Sequence, residues 1–155
     1  MSNPLEGIEK TLEQYRDCWA RLDFEGLRAL WDSEEPEPTY LPEEVDSPLF
    51  DWDQIEAYWA ATRAATRRIR LETWNLRVRE IGPGLATAVY DMRWVGDFQG
   101  HARTIGGDTR VTAIFRHRSD GWRFIHYVEA PLAPIVYIKR FYERFADSPP
   151  AKRKM

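Results

Sequence analysis

The stretch Ile114-Phe115-Arg116-His117-Arg118-Ser119-Asp120-Gly121-Trp122-Arg123-Phe124-Ile125-His126 reads as a strand, a turn and a second strand. β-Branched and aromatic residues dominate both arms, and Asp-Gly between them accepts the backbone conformations that a tight reversal needs. Working outward, the same period of two continues. Leu71 to Ile81, Leu85 to Val95, Asp108 to Arg118 and Trp122 to Ala130 read as four strands. Gly82-Pro83-Gly84 joins the first pair, and a longer glycine-containing excursion from Gly96 to Gly107 joins the second. Strands joined by short turns are antiparallel, so this half of the chain is a meander.

Upstream the period is helical. Leu5, Ile8, Leu12, Tyr15, Trp19 and Leu22 fall at three- and four-residue steps on one face, with Asn3 as cap and Pro4 at the first helical position. A short helix follows Asp23 and ends before the acidic, proline-rich Glu34 to Pro38 loop, which cannot continue a helix. Thr39 to Leu41, held between prolines, reads as an edge strand, and Asp51 to about Ala65 as a third helix opened by an Asp51/Gln54 capping box. After Pro131 and Pro134 comes an amphipathic helix, Ile135 to Phe145. The order predicts an α+β fold with helices on one face of an antiparallel sheet. A strongly twisted sheet curls, and a cavity remains beneath the helices wherever side chains do not fill it.

A chain of 155 residues suits one domain, expected over residues 1–147, with a disordered basic tail over 148–155. A net charge of -3 supplies no basic field for a phosphate backbone, so nucleic acid is not expected as a partner. The single cysteine, Cys18, can form no internal disulfide and no zinc-site spacing. The N-terminus lacks the charged start and apolar run of a signal peptide, and no stretch of about 18 apolar residues occurs, so the expectation is a cytoplasmic protein with no membrane partner. Seven tryptophans among 14% aromatic residues suit a small-molecule pocket as well as a core.

Two segments resemble a known family. Tyr15-Arg16-Asp17-Cys18-Trp19-Ala20-Arg21-Leu22-Asp23-Phe24-Glu25-Gly26-Leu27-Arg28-Ala29-Leu30-Trp31 looks like the helix, acidic corner and second helix that open nuclear transport factor 2-like (SnoaL-like) domains. Ile114 to His126 is similar to the family's penultimate strand, Asp-Gly turn and last strand. The resemblance spans roughly Leu5 to Ala130. It implies a cone-shaped curved antiparallel sheet packed against three N-terminal helices, with a C-terminal helix. The fold is shared by isomerases, cyclases, dehydratases, epoxide hydrolases, transport factors and assembly hubs, so function must be argued from the site.

Tyr15 sits where the resembling ketosteroid isomerases carry their oxyanion-stabilising tyrosine, and the other reading of it is an inward phenol that is merely hydrogen-bonded. The isomerase base would fall at Leu41, beside Tyr40 and Glu43, and its second acid near Ala113. Neither Leu nor Ala can do that work, so the same isomerisation is not expected. If Trp122, Phe124, His126 and Val128 share the concave face by alternation, His126 points into the pocket and can serve as general acid or base, with Asp91 as the candidate orienting carboxylate if its side of the strand Leu85 to Val95, rather than that of Tyr90, Met92 and Trp94, faces inward. A buried neutral histidine is the alternative.

Trp19, Trp31, Tyr40, Tyr58, Trp59, Trp94, Trp122 and Phe124 would form an aromatic wall for a ligand, or else core. With His101, His117 and His126 the only histidines and no metal-ligand spacing among them, neither metal nor cofactor is expected. Two readings follow. The pocket binds a small apolar or aromatic molecule, with cofactor-independent lyase, isomerase or cyclase chemistry by proton transfer, or the domain is a non-catalytic binding or dimerisation module. A homodimer is expected in both, with Ile125 and Tyr127 on its outward face.

Overall fold

The structure, a computed structural model, describes residues 3–149. Helix α1 (Pro4–Arg21) starts at Asn3, whose side-chain oxygen accepts the Leu5 N–H at 3.1 Å, and ends at Leu22 in the left-handed region at φ 53°. Asp23 turns the chain and caps α2 (Phe24–Ala29) by accepting the Gly26 N–H at 2.8 Å. Strand β1 (Thr39–Leu41) follows, then α3 (Trp52–Ala65), where Asp51 accepts the Gln54 N–H at 2.8 Å and Gln54 accepts that of Phe50 at 3.1 Å. The long strands are β2 (Thr66–Gly82), β3 (Leu85–Phe98), β4 (Ile105–Arg118) and β5 (Gly121–Pro131), and α4 (Pro134–Ala146) closes the order.

The sheet runs β1-β5-β4-β3-β2. Its four long strands are antiparallel neighbours, whereas β1 lies parallel to β5 at the edge, with Tyr40 opposite Tyr127. Helices α1 to α3 cover the concave face, giving the α+β cone expected from the sequence. Two boundaries differ. β2 begins at Thr66, directly from α3, and the expected excursion from Gly96 to Gly107 shrinks to residues 99–104 because Gly96 pairs with Ile105 and Gly107 with Trp94. The flat indole of Trp94 accounts for Gly107, since a Cβ there would lie 3.1 Å from its Nε1.

Alternation fixes the faces. Ala86, Ala88, Tyr90 and Met92 on β3 point inward with Val111, Ala113 and Phe115 on β4, and all are buried. On β5, Trp122 and Phe124 point inward too. Between Phe124 and His126, however, the register slips against β4: Phe115 pairs with Phe124, but Ile114 pairs with His126. Ile125 is the extra residue of a β-bulge, and beyond it the inward set is Tyr127 and Glu129. His126 therefore shares the outward face with Ile114. The expectations that His126 and Val128 continue the inward face, and that Tyr127 faces out, are both corrected by this one inserted residue; Tyr127 is fully buried.

The core is one cluster of aromatic and aliphatic side chains in which Phe124 stacks on Trp31 and packs against Phe115 with ring centroids 4.3 Å apart. Beside it the buried Asp32 accepts hydrogen bonds from Arg116 at 2.7 Å and from Arg118 at 2.8 Å, fastening the loop after α2 to β4. Helix α4 buries none of its residues and is tied to β4 through Tyr137 and Arg140, which both reach Asp108. The basic tail expected over 148–155 lies, from residue 150 on, outside the described residues. No helix among the described residues is long and apolar enough to cross a membrane.

Candidate functional site

Between the concave face and the helices lies a cavity of about 420 Å³. Tyr15 and Trp19 enter it from α1 because their four-residue spacing puts them on one helical face. Tyr40 enters from β1, with Glu43 and Glu44 in the loop that follows, and Tyr58 from α3. Leu71, Met92, Trp94 and Phe98 form the sheet side, while Gln99, His101 and Ile105 lie where β3 turns into β4. Glu129, the last inward residue of β5, completes it.

Of the aromatic residues expected to form the wall, Tyr15, Trp19, Tyr40, Tyr58 and Trp94 line the cavity. Trp31, Trp59, Trp122 and Phe124 stand behind that layer in the core. Trp59 packs against Tyr40, and Trp122 lies over Gly7 of α1, where a Cβ would come within 2.4 Å of its ring. Asp91 and His126 do not line the cavity and are not brought together across it. Asp91 is on the outward face of β3, opposite Arg110 and Trp74, and accepts a hydrogen bond from Asn75 at 2.8 Å. Burial holds the His126 imidazole below its ordinary value, so it is neutral on its own face.

The polar end of the cavity is built by carboxylates. Glu129 accepts the Tyr127 hydroxyl at 2.6 Å through one oxygen and the backbone N–H of Glu43 at 2.9 Å through the other. Burial, partly offset by those two donors, pushes its carboxyl up to about 7, with the neighbouring Glu44 and Glu43 adding to the rise. Glu43 is also raised by burial, and its Oε1 accepts the Trp94 indole N–H at 2.8 Å while its Oε2 is enclosed without a partner. Glu44 accepts from the Tyr58 hydroxyl.

Burial pushes the phenols of Tyr15, Tyr40 and Tyr58 upward as well, so each stays protonated and acts as a donor. A carboxyl near 7 among fixed phenol donors is equipped to take up a proton and return it near neutral pH. Among the described residues no group of three or more His, Cys, Asp or Glu side chains is arranged to hold a metal ion.

Glu129 was hidden in the sequence because strict alternation from Trp122 points it outward. Its only signal is the pattern Tyr127-x-Glu129 read backward from the strand's end, which gives the inward set once a bulge is allowed.

Residues 8–134 match the family model of the SnoaL-like domain. Among solved structures the chain is similar to a candidate dehydratase of the NTF2-like family from Streptomyces avermitilis, with TM-score 0.72 and 16% identity over 84% of this chain and 99% of that one. It is similar to a nuclear transport factor 2-like superfamily protein from Salmonella enterica serovar Typhimurium, with TM-score 0.72 and 17% identity over 83% and 90% of the two chains. A candidate scytalone dehydratase from Novosphingobium aromaticivorans gives TM-score 0.73 and 13% identity over 83% and 84%. No curated protein matches the sequence.

Proposed function

The chain belongs to the SnoaL-like domain family, and from that premise we propose that its cavity binds a small, mostly apolar or aromatic molecule and moves a proton on it without a cofactor. Glu129 is the group that takes and returns the proton. The observation that carries this reading is the inward placement of a carboxyl raised to about 7 at the polar end of an aromatic cavity. Such a group is close to half ionised at neutral pH, where Brønsted behaviour favours it as both acid and base.

In a lyase reaction of this kind Glu129 removes a proton from a ligand carbon, the C–H electrons become a double bond as the C–O bond breaks, and Glu129 hands the same proton to the departing oxygen, which leaves as water while the phenols of Tyr15 and Tyr40, still protonated, hydrogen-bond to it. In an isomerisation Glu129 returns the same proton to a different carbon. The solved structures named as candidate dehydratases belong to that reaction class.

The second reading, a non-catalytic binding or dimerisation module, draws on exposed apolar side chains away from the cavity, including Trp74 and Val89 on the outward sheet face and Phe141 on α4. A homodimer through such surfaces is compatible with either.

The test begins with native mass spectrometry of freshly purified protein to identify a retained molecule, which is then incubated with the protein in D2O. We expect the wild type and His126→Asn to exchange a carbon-bound proton of that molecule for deuterium, and Glu129→Gln not to. Exchange undiminished in Glu129→Gln would end the assignment; a retained molecule with no exchange in any form would favour the binding module.

A further inference from the structure

The ionisable groups around the cavity are nearly all of one sign. Glu43, Glu44 and Glu129 line it, and among the described lining residues there is no lysine or arginine, the one basic side chain being His101 where β3 turns into β4. Glu43 and Glu129 are immediate neighbours, since the backbone N–H of one bonds the carboxylate of the other at 2.9 Å. The donors around the three carboxylates are neutral: the Tyr127 hydroxyl, the Trp94 indole, the Tyr58 hydroxyl and that one backbone amide, with the Thr109 hydroxyl beside Glu43.

Glu44 is exposed at the rim, but Glu43 and Glu129 are half-buried, and partly buried like charges without a counter-ion are unfavourable unless they are paired or protonated. Two further observations concern the absent partner. Oε2 of Glu43 is enclosed and makes no hydrogen bond; the only donor beside it is the neutral hydroxyl of Thr109, close enough to lower that carboxyl and itself unpartnered, so the oxygen is open to a stronger donor. Trp19, only 5% exposed, lines the same cavity with its indole N–H unpartnered, which calls for an acceptor. The walls are the rings of Tyr15, Trp19, Tyr40, Tyr58 and Trp94, whose negative faces attract cations. A neutral hydrocarbon satisfies none of these groups, and an anion is repelled by three of them.

We propose that the ligand of this cavity is an organic ammonium: a protonated amine that donates to the carboxylates of Glu43 and Glu129, and that carries an oxygen for the Trp19 indole on an apolar or aromatic body. The inference rests on the reading of the cavity as a small-molecule site and narrows its ligand. The cation neutralises the paired carboxylates, and its body lies along Ile69, Leu71 and Met92.

Three matched probes separate charge from shape: tyramine (cationic), tyrosol (its neutral hydroxyl counterpart) and 4-hydroxyphenylacetate (anionic), each titrated calorimetrically into the full-length protein near pH 8. Tyramine is expected to bind at least about tenfold more tightly than tyrosol, with the anion weakest. In Glu43→Gln and in Glu129→Gln that preference should fall severalfold while tyrosol affinity holds. The wild-type comparison stands whether or not either variant folds.

Tyrosol binding as tightly as tyramine, or the anion binding best, overturns the cationic ligand and leaves the cavity reading in place. Failure of all three to bind at millimolar concentration overturns both.

Discussion

Glu129 is a half-buried carboxylic acid whose charge is poorly solvated, and this should have a measurable effect on stability. Its value in the folded protein is about 7 against an ordinary 4.5, so the folded state holds the proton more tightly than the unfolded chain does. The resulting stabilisation, relative to the ionised carboxylate, is complete below the ordinary value and is lost as pH rises through about 7. Glu129→Gln, neutral throughout, should therefore match the wild type below the ordinary value of 4.5 and exceed it above neutrality, by an upper bound on the order of 3 kcal/mol. Calorimetric melting of both proteins across that range checks it; a difference that does not widen with pH would contradict the raised value. The same residue shows where sequence reading stops. Tyr15, Trp19, Tyr40, Tyr58 and Trp94 were legible as cavity residues because helical spacing and strand position put them near one place, whereas His126 was expected in the site and Glu129 was not. One bulged residue exchanges their faces, and Ile125, a β-branched residue at home in any regular strand, gives no local sign of it.

Elements are held in place by contacts that individual substitutions can break. Trp94 on β3 reaches Glu43 only because its cross-strand neighbour is Gly107, over which the indole lies flat. Gly107→Val should push the ring off that surface, costing about 1 to 3 kcal/mol by overpacking and weakening ligand binding with it. Urea unfolding and the probe titrations read the two effects separately, and an unchanged midpoint would refute the packing argument.

Asp32 joins the segment after α2 to β4. Burial alone would raise its carboxyl, but the guanidinium groups of Arg118 and Arg116 hold it below the usual range. Asp32→Ala leaves both arginines without their shared acceptor and should destabilise the fold by about 3 kcal/mol, seen as a lower denaturation midpoint with an unchanged slope. A loss under about 0.5 kcal/mol would mean the pairs are worth no more than surface ones. Helix starts at Asn3, Asp23 and Asp51 were readable because capping is local chemistry. The parallel pairing of β1 with β5 was not, because it depends on partners 87 residues apart in sequence, Thr39 with His126, rather than on any turn.

At the scale of the whole molecule, the α+β plan was legible from the change of period near residue 70, but the use of the outer surfaces was not. The outward sheet face exposes Trp74 and Val89, and α4 exposes Ile135, Ile138, Phe141, Tyr142 and Phe145. Apolar area of that extent is characteristic of a contact surface. The protein is expected to sediment as a homodimer at micromolar concentration, and a single monomer boundary there would refute this.

Beyond Thr109 opposite Pro131, β4 runs on without β5 beside it. At the first unpaired position the Tyr137 hydroxyl accepts the Asp108 N–H and donates to the Asp108 carbonyl, both at 2.8 Å. One phenol thus stands in for the missing strand, and the row of bare peptide groups that would invite another chain to add itself is stopped at its first rung. The C-terminal helix, which buries nothing of its own, thereby guards the sheet against growing edge to edge into aggregates.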